Sequence, residues 1–183
     1  VASFGRFALE LLAFGAPADL LRAAHEAAID EVRHAQRCFA LAGAYRGEAI
    51  APGAFPFGGA VVLAGDLATL AESAVIEGCI GETLAALIAA EQLERASDPA
   101  VRAVLAGIAA DEARHAELAW ATVAWALRQG GAAVRSAVAA AFARAEKEHA
   151  APARDAVEEA LSAHGFLGAA DREAARARAL REV

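Results

Sequence analysis

Apolar side chains recur every three or four positions along four stretches of the chain, and that spacing predicts helices over residues 1–14, 17–42, 66–95 and 99–129. The residues at their ends agree. Gly15 suits the position after a first helix. Pro17 fits the first turn of the second, and Gly43 its close. Ser97, Asp98 and Pro99 break the third helix from the fourth, with Asp98 placed to cap the latter, and Gly130 and Gly131 end it. Residues 43–65 lose the helical period and gain Gly and Pro, so they read as a long connection. Beyond residue 131 the pattern reads as two or three shorter Ala/Arg/Glu helices, broken at Pro152 and Gly165.

Short links make helices one and two, and helices three and four, antiparallel neighbours. The long link can then cross from one end of the assembly to the other. Helices three and four would each be roughly 45 Å long at about 1.5 Å per residue. We therefore expect an all-α protein: a four-helix bundle with one long crossover over residues 1–130, and a C-terminal helical extension over 131–183.

Two of the apolar stripes are interrupted in the same way. The second helix presents Leu20, Ala24, Ala27, Glu31, His34, Cys38 and Leu41 on one face, and the fourth presents Val101, Leu105, Ile108, Glu112, His115 and Ala119. The interruptions lie in one repeated phrase, Asp-Glu-Val-Arg-His-Ala at 30–35 and Asp-Glu-Ala-Arg-His-Ala at 111–116. Positions i and i+3 of a helix share a face, so each Glu and His can ligate one metal ion together. An ionised Glu on a buried stripe costs several kcal/mol unless it is compensated, and a divalent cation is sufficient compensation. Glu146 and His149 have the same spacing but lack the surrounding phrase, and read as a solvated face.

Four helices with one crossover, and Glu-x-x-His on the second and fourth, resemble the ferritin-like di-iron carboxylate superfamily, with a rubrerythrin-like or tRNA-hydroxylase-like flavour. The resemblance covers about residues 1–130. It implies a metal site of Glu31, His34, Glu112 and His115, completed by one Glu from each of the other two helices. It also implies that Asp30 hydrogen-bonds His115 and that Asp111 hydrogen-bonds His34. The third helix offers Glu77 or Glu82. Glu77 is preferred because it lies on the stripe Leu67, Leu70, Ala74, Glu77, Gly81, Leu84, Ile88; Glu82 is favoured by lying level with Glu112 when counted from the break near Ser97. The first helix shows only Glu10, which sits roughly 12 Å off the level of Glu31 at about 1.5 Å per residue and reads as a helix-flank residue. The chain begins at Val1 and contains no Met, so we expect upstream residues, and with them the sixth ligand.

By the same resemblance, the cofactor would be two iron ions, with manganese a further candidate for a Glu/His donor set. The protein would be an oxidoreductase that activates O₂ or peroxide for a small-molecule or nucleic-acid-derived substrate. The alternative is ferroxidase or iron handling without an organic substrate. Composition narrows this little further. The net charge of −7 argues against a surface for nucleic-acid phosphates, short of a local basic patch. Cys38 and Cys79 form no Cys-x-x-Cys, so a built-in redox donor is absent and an external one is expected. Both cysteines read as core. The uncharged run 49–65 is broken by Pro52, Pro56 and four glycines, and we expect no membrane span. A cytoplasmic protein, with a homodimer as one assembly state, completes the expectation.

Overall fold

The computed structural model describes residues 1–59, 61–147, 161 and 165–182, and every regular element among them is a helix. We number them α1 (Ala2–Ala13), α2 (Ala18–Arg46), α3 (Leu67–Arg95), α4 (Pro99–Gln129), α5 (Gly131–Lys147) and α6 (Ala169–Glu182). The side chains of Glu146 and His149, and Pro152, lie outside the described residues.

Caps fix most of these boundaries. Asp98 accepts the backbone N–H groups of Ala100 at 2.7 Å and Val101 at 3.4 Å, and Asp66 accepts that of Thr69 at 2.8 Å. Two ends differ from expectation. Pro17 precedes α2 in an extended conformation instead of opening its first turn. At the other end α2 runs through Gly43 to Arg46, and Gly47 (φ 75°) supplies the left-handed cap. Gly43 serves a different need: a Cβ there would sit 2.9 Å from the carbonyl oxygen of Glu48 as the chain turns back.

α3 departs from simple α-helix in its middle. Ala74–Glu82 is π-helical, flanked by α-helical Leu67–Ser73 and Thr83–Arg95. The buried positions record the change. Leu70 and Ala71 are followed by Ala74 and Val75 at an interval of four, then by Cys79 and Ile80 at an interval of five. A π segment closes i→i+5 hydrogen bonds, so each turn takes up one extra residue. Gly78 and Gly81 weaken the α preference there. Gly78 also meets α4 closely: a Cβ on it would lie 2.4 Å from Ala119 Cβ.

α2 and α4 pack antiparallel, as paired residues show. Asp30 faces Arg114, His34 faces Asp111, and the Tyr45 hydroxyl donates to Asp98 at 3.2 Å. The last pair puts the end of α2 beside the α3–α4 break. At the opposite end, the backbone N–H of Ala64 donates to Glu10 of α1 at 2.7 Å, near the α1–α2 turn. The connection after α2 therefore travels the length of the helices, and α2 and α3 run parallel. α5 packs on the first part of α3, and Trp120 of α4 stacks on Phe142 of α5 with ring centroids 5.8 Å apart. α6 packs on the last part of α3.

The core is built from small side chains, with Leu11, Leu70, Ala24, Val75 and Ala126 fully enclosed. Among the described residues α3 alone is long and apolar enough to cross a membrane, with mean hydropathy 1.5 over its best window. It carries Glu77 and Glu82 mid-length and is packed by α4, α5 and α6. Cys38, expected in the core, is exposed, because the second half of α2 is covered on fewer sides than the first; Cys79 is buried. Burial pushes the Cys79 thiol up to about 12, so it stays protonated and apolar in character.

Candidate metal centre

The repeated phrase meets itself across the α2–α4 interface. Antiparallel packing brings the two copies together head to tail, so each Asp approaches the other copy's His. His34 Nε2 lies 2.9 Å from Asp111 Oδ2, and His115 Nε2 lies 3.6 Å from Asp30 Oδ2. The inner nitrogens face carboxylates. His34 Nδ1 is 3.2 Å from Glu31 Oε1 and 3.5 Å from Glu112 Oε1. His115 Nδ1 is 3.0 Å from Glu112 Oε2. Glu112 thus spans the two imidazoles, whose centroids are 6.1 Å apart. Glu31, Glu112 and His115 offer ligand atoms all within 4.8 Å of one another, a group that could hold a metal ion.

His34 is held between two acceptors: with Nε2–H given to Asp111, its Nδ1 faces Glu31 and Glu112 and needs either a second proton or a cation between them. His115 Nδ1 faces Glu112 in the same way, whereas its buried Nε2 makes no hydrogen bond, so the expected bond to Asp30 is not formed. His34, Glu112 and His115 are buried, which raises the cost of leaving that need unmet. The donor set therefore fits a divalent cation.

Arginines neutralise the outer aspartates unequally. Arg33 pairs with Asp30 at 2.9 Å on its own helix. Arg114 reaches both Asp111 at 2.5 Å and Asp30 at 3.2 Å, tying the two copies of the phrase together. For Asp111, burial raises the carboxyl, but hydrogen bonds from His34 and Arg114 and their charges outweigh it and hold it below the usual range.

The third-helix carboxylate in contact with the cluster is Glu82. Burial, a hydrogen bond to Glu112, and the charges of Glu112 and Glu31 push it up to about 9. Glu82 is thus the protonated partner at neutral pH and donates to Glu112. For Glu112, burial acts upward, yet hydrogen bonds from His115 and Glu82 and the charges of His115 and His34 keep its carboxyl below the usual range.

Glu77, preferred from the sequence, stands apart. Its side chain is 54% exposed and pairs with Arg6 of α1. That preference assumed an unbroken α-period, and the extra residue per turn in the π segment rotates the register between Leu70 and Ile88. The contact of Glu82 with Glu112 agrees with the level count from Ser97, which favours Glu82. Glu10 also differs from a helix-flank residue. It is 1% exposed, and its Oε1 accepts from Arg6 at 3.2 Å as well as from Ala64, away from the cluster. At the near end of α1, Val1 lies beside Glu31. Phe4 of α1, unremarked in the sequence, stands edge-on to His115 with centroids 4.9 Å apart. No protein-family model, curated protein or solved structure matches this chain.

Proposed function

We propose that the chain is a ferritin-like four-helix-bundle protein holding iron, or manganese, on Glu31, His34, Glu82, Glu112 and His115, and that it is an oxidoreductase. The observation that carries this reading is the position of Glu112 between the inner nitrogens of two buried histidines, with Glu31 alongside. Glu82 replaces Glu77 as the proposed third-helix ligand because it touches Glu112. Carboxylate and imidazole donors together suit Fe(II) and Mn(II). When bound, such ions supply activation of O₂ or peroxide.

The chain's own residues have separable tasks. Asp111 fixes the ring orientation of His34 and makes it a better donor, and Asp30 stands close to His115 Nε2. Arg114 balances both aspartates. Glu82, protonated when no cation is present, can release its proton to solvent on loading, so that metal uptake and proton loss are coupled. Phe4 covers one side of His115 with an apolar ring. The absence of Cys-x-x-Cys leaves reducing electrons to an external donor.

Anaerobic titration of the full chain with Fe(II) tests the reading. We expect saturable uptake of one or two ions per chain, with three carboxylates (Glu31, Glu82, Glu112) favouring tight binding of the first. Stopped-flow mixing with O₂ should then oxidise the bound iron within seconds. Failure to bind any Fe(II) or Mn(II) would refute it. Oxidation followed by growth of a mineral core would favour iron handling instead.

A further inference from the structure

A cavity of about 300 Å³ adjoins the cluster, between α1, the π-helical part of α3 and α4. Glu82 and His115 form its inner end, and Phe4, Phe7, Ala74 and Leu118 supply apolar walls. Arg6 and Glu77 lie at its outer side, where Glu77 meets solvent. Arg6, the one cation among the described lining residues, is engaged on two sides: by Glu10 at 3.2 Å and by Glu77. Those three groups sum to one negative charge.

Size and charge select an occupant. An apolar cavity of about 150 Å³ binds benzene, so one of about twice that volume admits a bicyclic ring or a chain of about ten carbons. In the metal-free protein a carboxylate or phosphate entering here would find Arg6 already paired and a net negative surround, and would lose hydration without compensation. Given the reading that the cluster holds metal, we propose that the cavity binds a small, neutral, mainly apolar substrate of about ten non-hydrogen atoms, its inner end against Glu82 and His115. The irregular turns of α3 create the space. They place Gly78 against Ala119, where helix and helix touch, and leave Ala74 facing the opening.

Calorimetric titration of the metal-free full chain with 2-naphthol, 2-naphthoate and methyl 2-naphthoate tests the proposal. The ester is neutral yet larger than the acid, so it separates charge from size. We expect 2-naphthol and the ester to bind at least tenfold more tightly than 2-naphthoate. Ala74→Leu should weaken 2-naphthol binding at least tenfold by filling the cavity. Ser73→Leu, at a partly exposed lining position, should do the same if Ala74→Leu does not fold. Equal affinity for the anion, or wild-type affinity in the folded filling variant, would overturn the proposal. Co(II)-loaded protein provides the link to the metal: saturating 2-naphthol should alter the cobalt absorption bands, and an unchanged spectrum would overturn the placement beside His115. Failure of Co(II) to bind would count against the metal reading alone, since the calorimetry needs no metal.

Discussion

Glu82→Gln should stabilise the metal-free protein at pH 8 and change it little at pH 5. Burial, with Glu112 and Glu31 nearby, lifts Glu82 from an ordinary 4.5 to about 9. Between those values the folded chain keeps a proton that the unfolded chain has released, so folding stability falls as pH rises. Below about pH 4.5 both states are protonated and no penalty exists; above about pH 9 the penalty is complete. One pKa unit is worth about 1.4 kcal/mol, so pH 5 to 8 spans about 4 kcal/mol as a ceiling. Glu82 keeps part of its surface in reach of solvent, and screening reduces the expectation to about 2 kcal/mol. Glutamine keeps a donor for Glu112 but does not titrate. Urea unfolding followed by circular dichroism, at pH 5, 6, 7 and 8 in EDTA, measures the difference. Wild type should lose stability relative to the variant across that range, and replacing EDTA with Mn(II) should flatten the wild-type slope. Parallel pH profiles for the two proteins would refute the burial of Glu82 against Glu112.

Metal stoichiometry separates the carboxylates: Glu112→Ala should lose Fe(II) binding in equilibrium dialysis, whereas Glu77→Ala should retain it, and the reverse order would place the third-helix ligand at Glu77. Arg114→Gln should weaken metal affinity about tenfold by leaving Asp111 without an arginine and Asp30 with Arg33 alone. Arg33→Gln, which leaves Asp30 still paired with Arg114, should weaken it less in a competitive chelator titration; equal effects would remove the bridging role of Arg114. Two glycine substitutions should differ in sign in thermal or urea unfolding. Gly78→Ala drives a Cβ to 2.4 Å from Ala119 and should destabilise by roughly 1–3 kcal/mol. Gly5→Ala in α1 meets nothing within 4 Å and should stabilise by about 0.5–1 kcal/mol.

Helix positions were legible because caps and breaks act locally. Asp98 capping α4 and Gly15 ending α1 need only a few neighbouring residues. The misplaced stop of α2 shows the limit of such signals, since Gly43 and Gly47 are both cap-capable and a close approach to Glu48 decides which does what. Four members of the cluster were legible for another reason. The phrase Asp-Glu-x-Arg-His-Ala occurs twice, and two buried charged faces have little choice but to meet. Glu82 was harder to choose, because face and level gave opposite answers and the face argument relied on a uniform helix.

What the linear order of residues determined was the all-helical character and the two Glu/His couplets on apolar stripes, consequences of a 3.6-residue period that each helix expresses locally. What only the tertiary structure decided was the register of α2 on α4, which pairs Asp30 and Asp111 with the opposite histidines. It also decided the π-helical turns that bring Glu82 in and leave Glu77 with Arg6, and the fate of Glu10 under the crossover. These depend on how closely helices approach, at Gly78 against Ala119 above all, and such distances are set by side chains far apart in sequence.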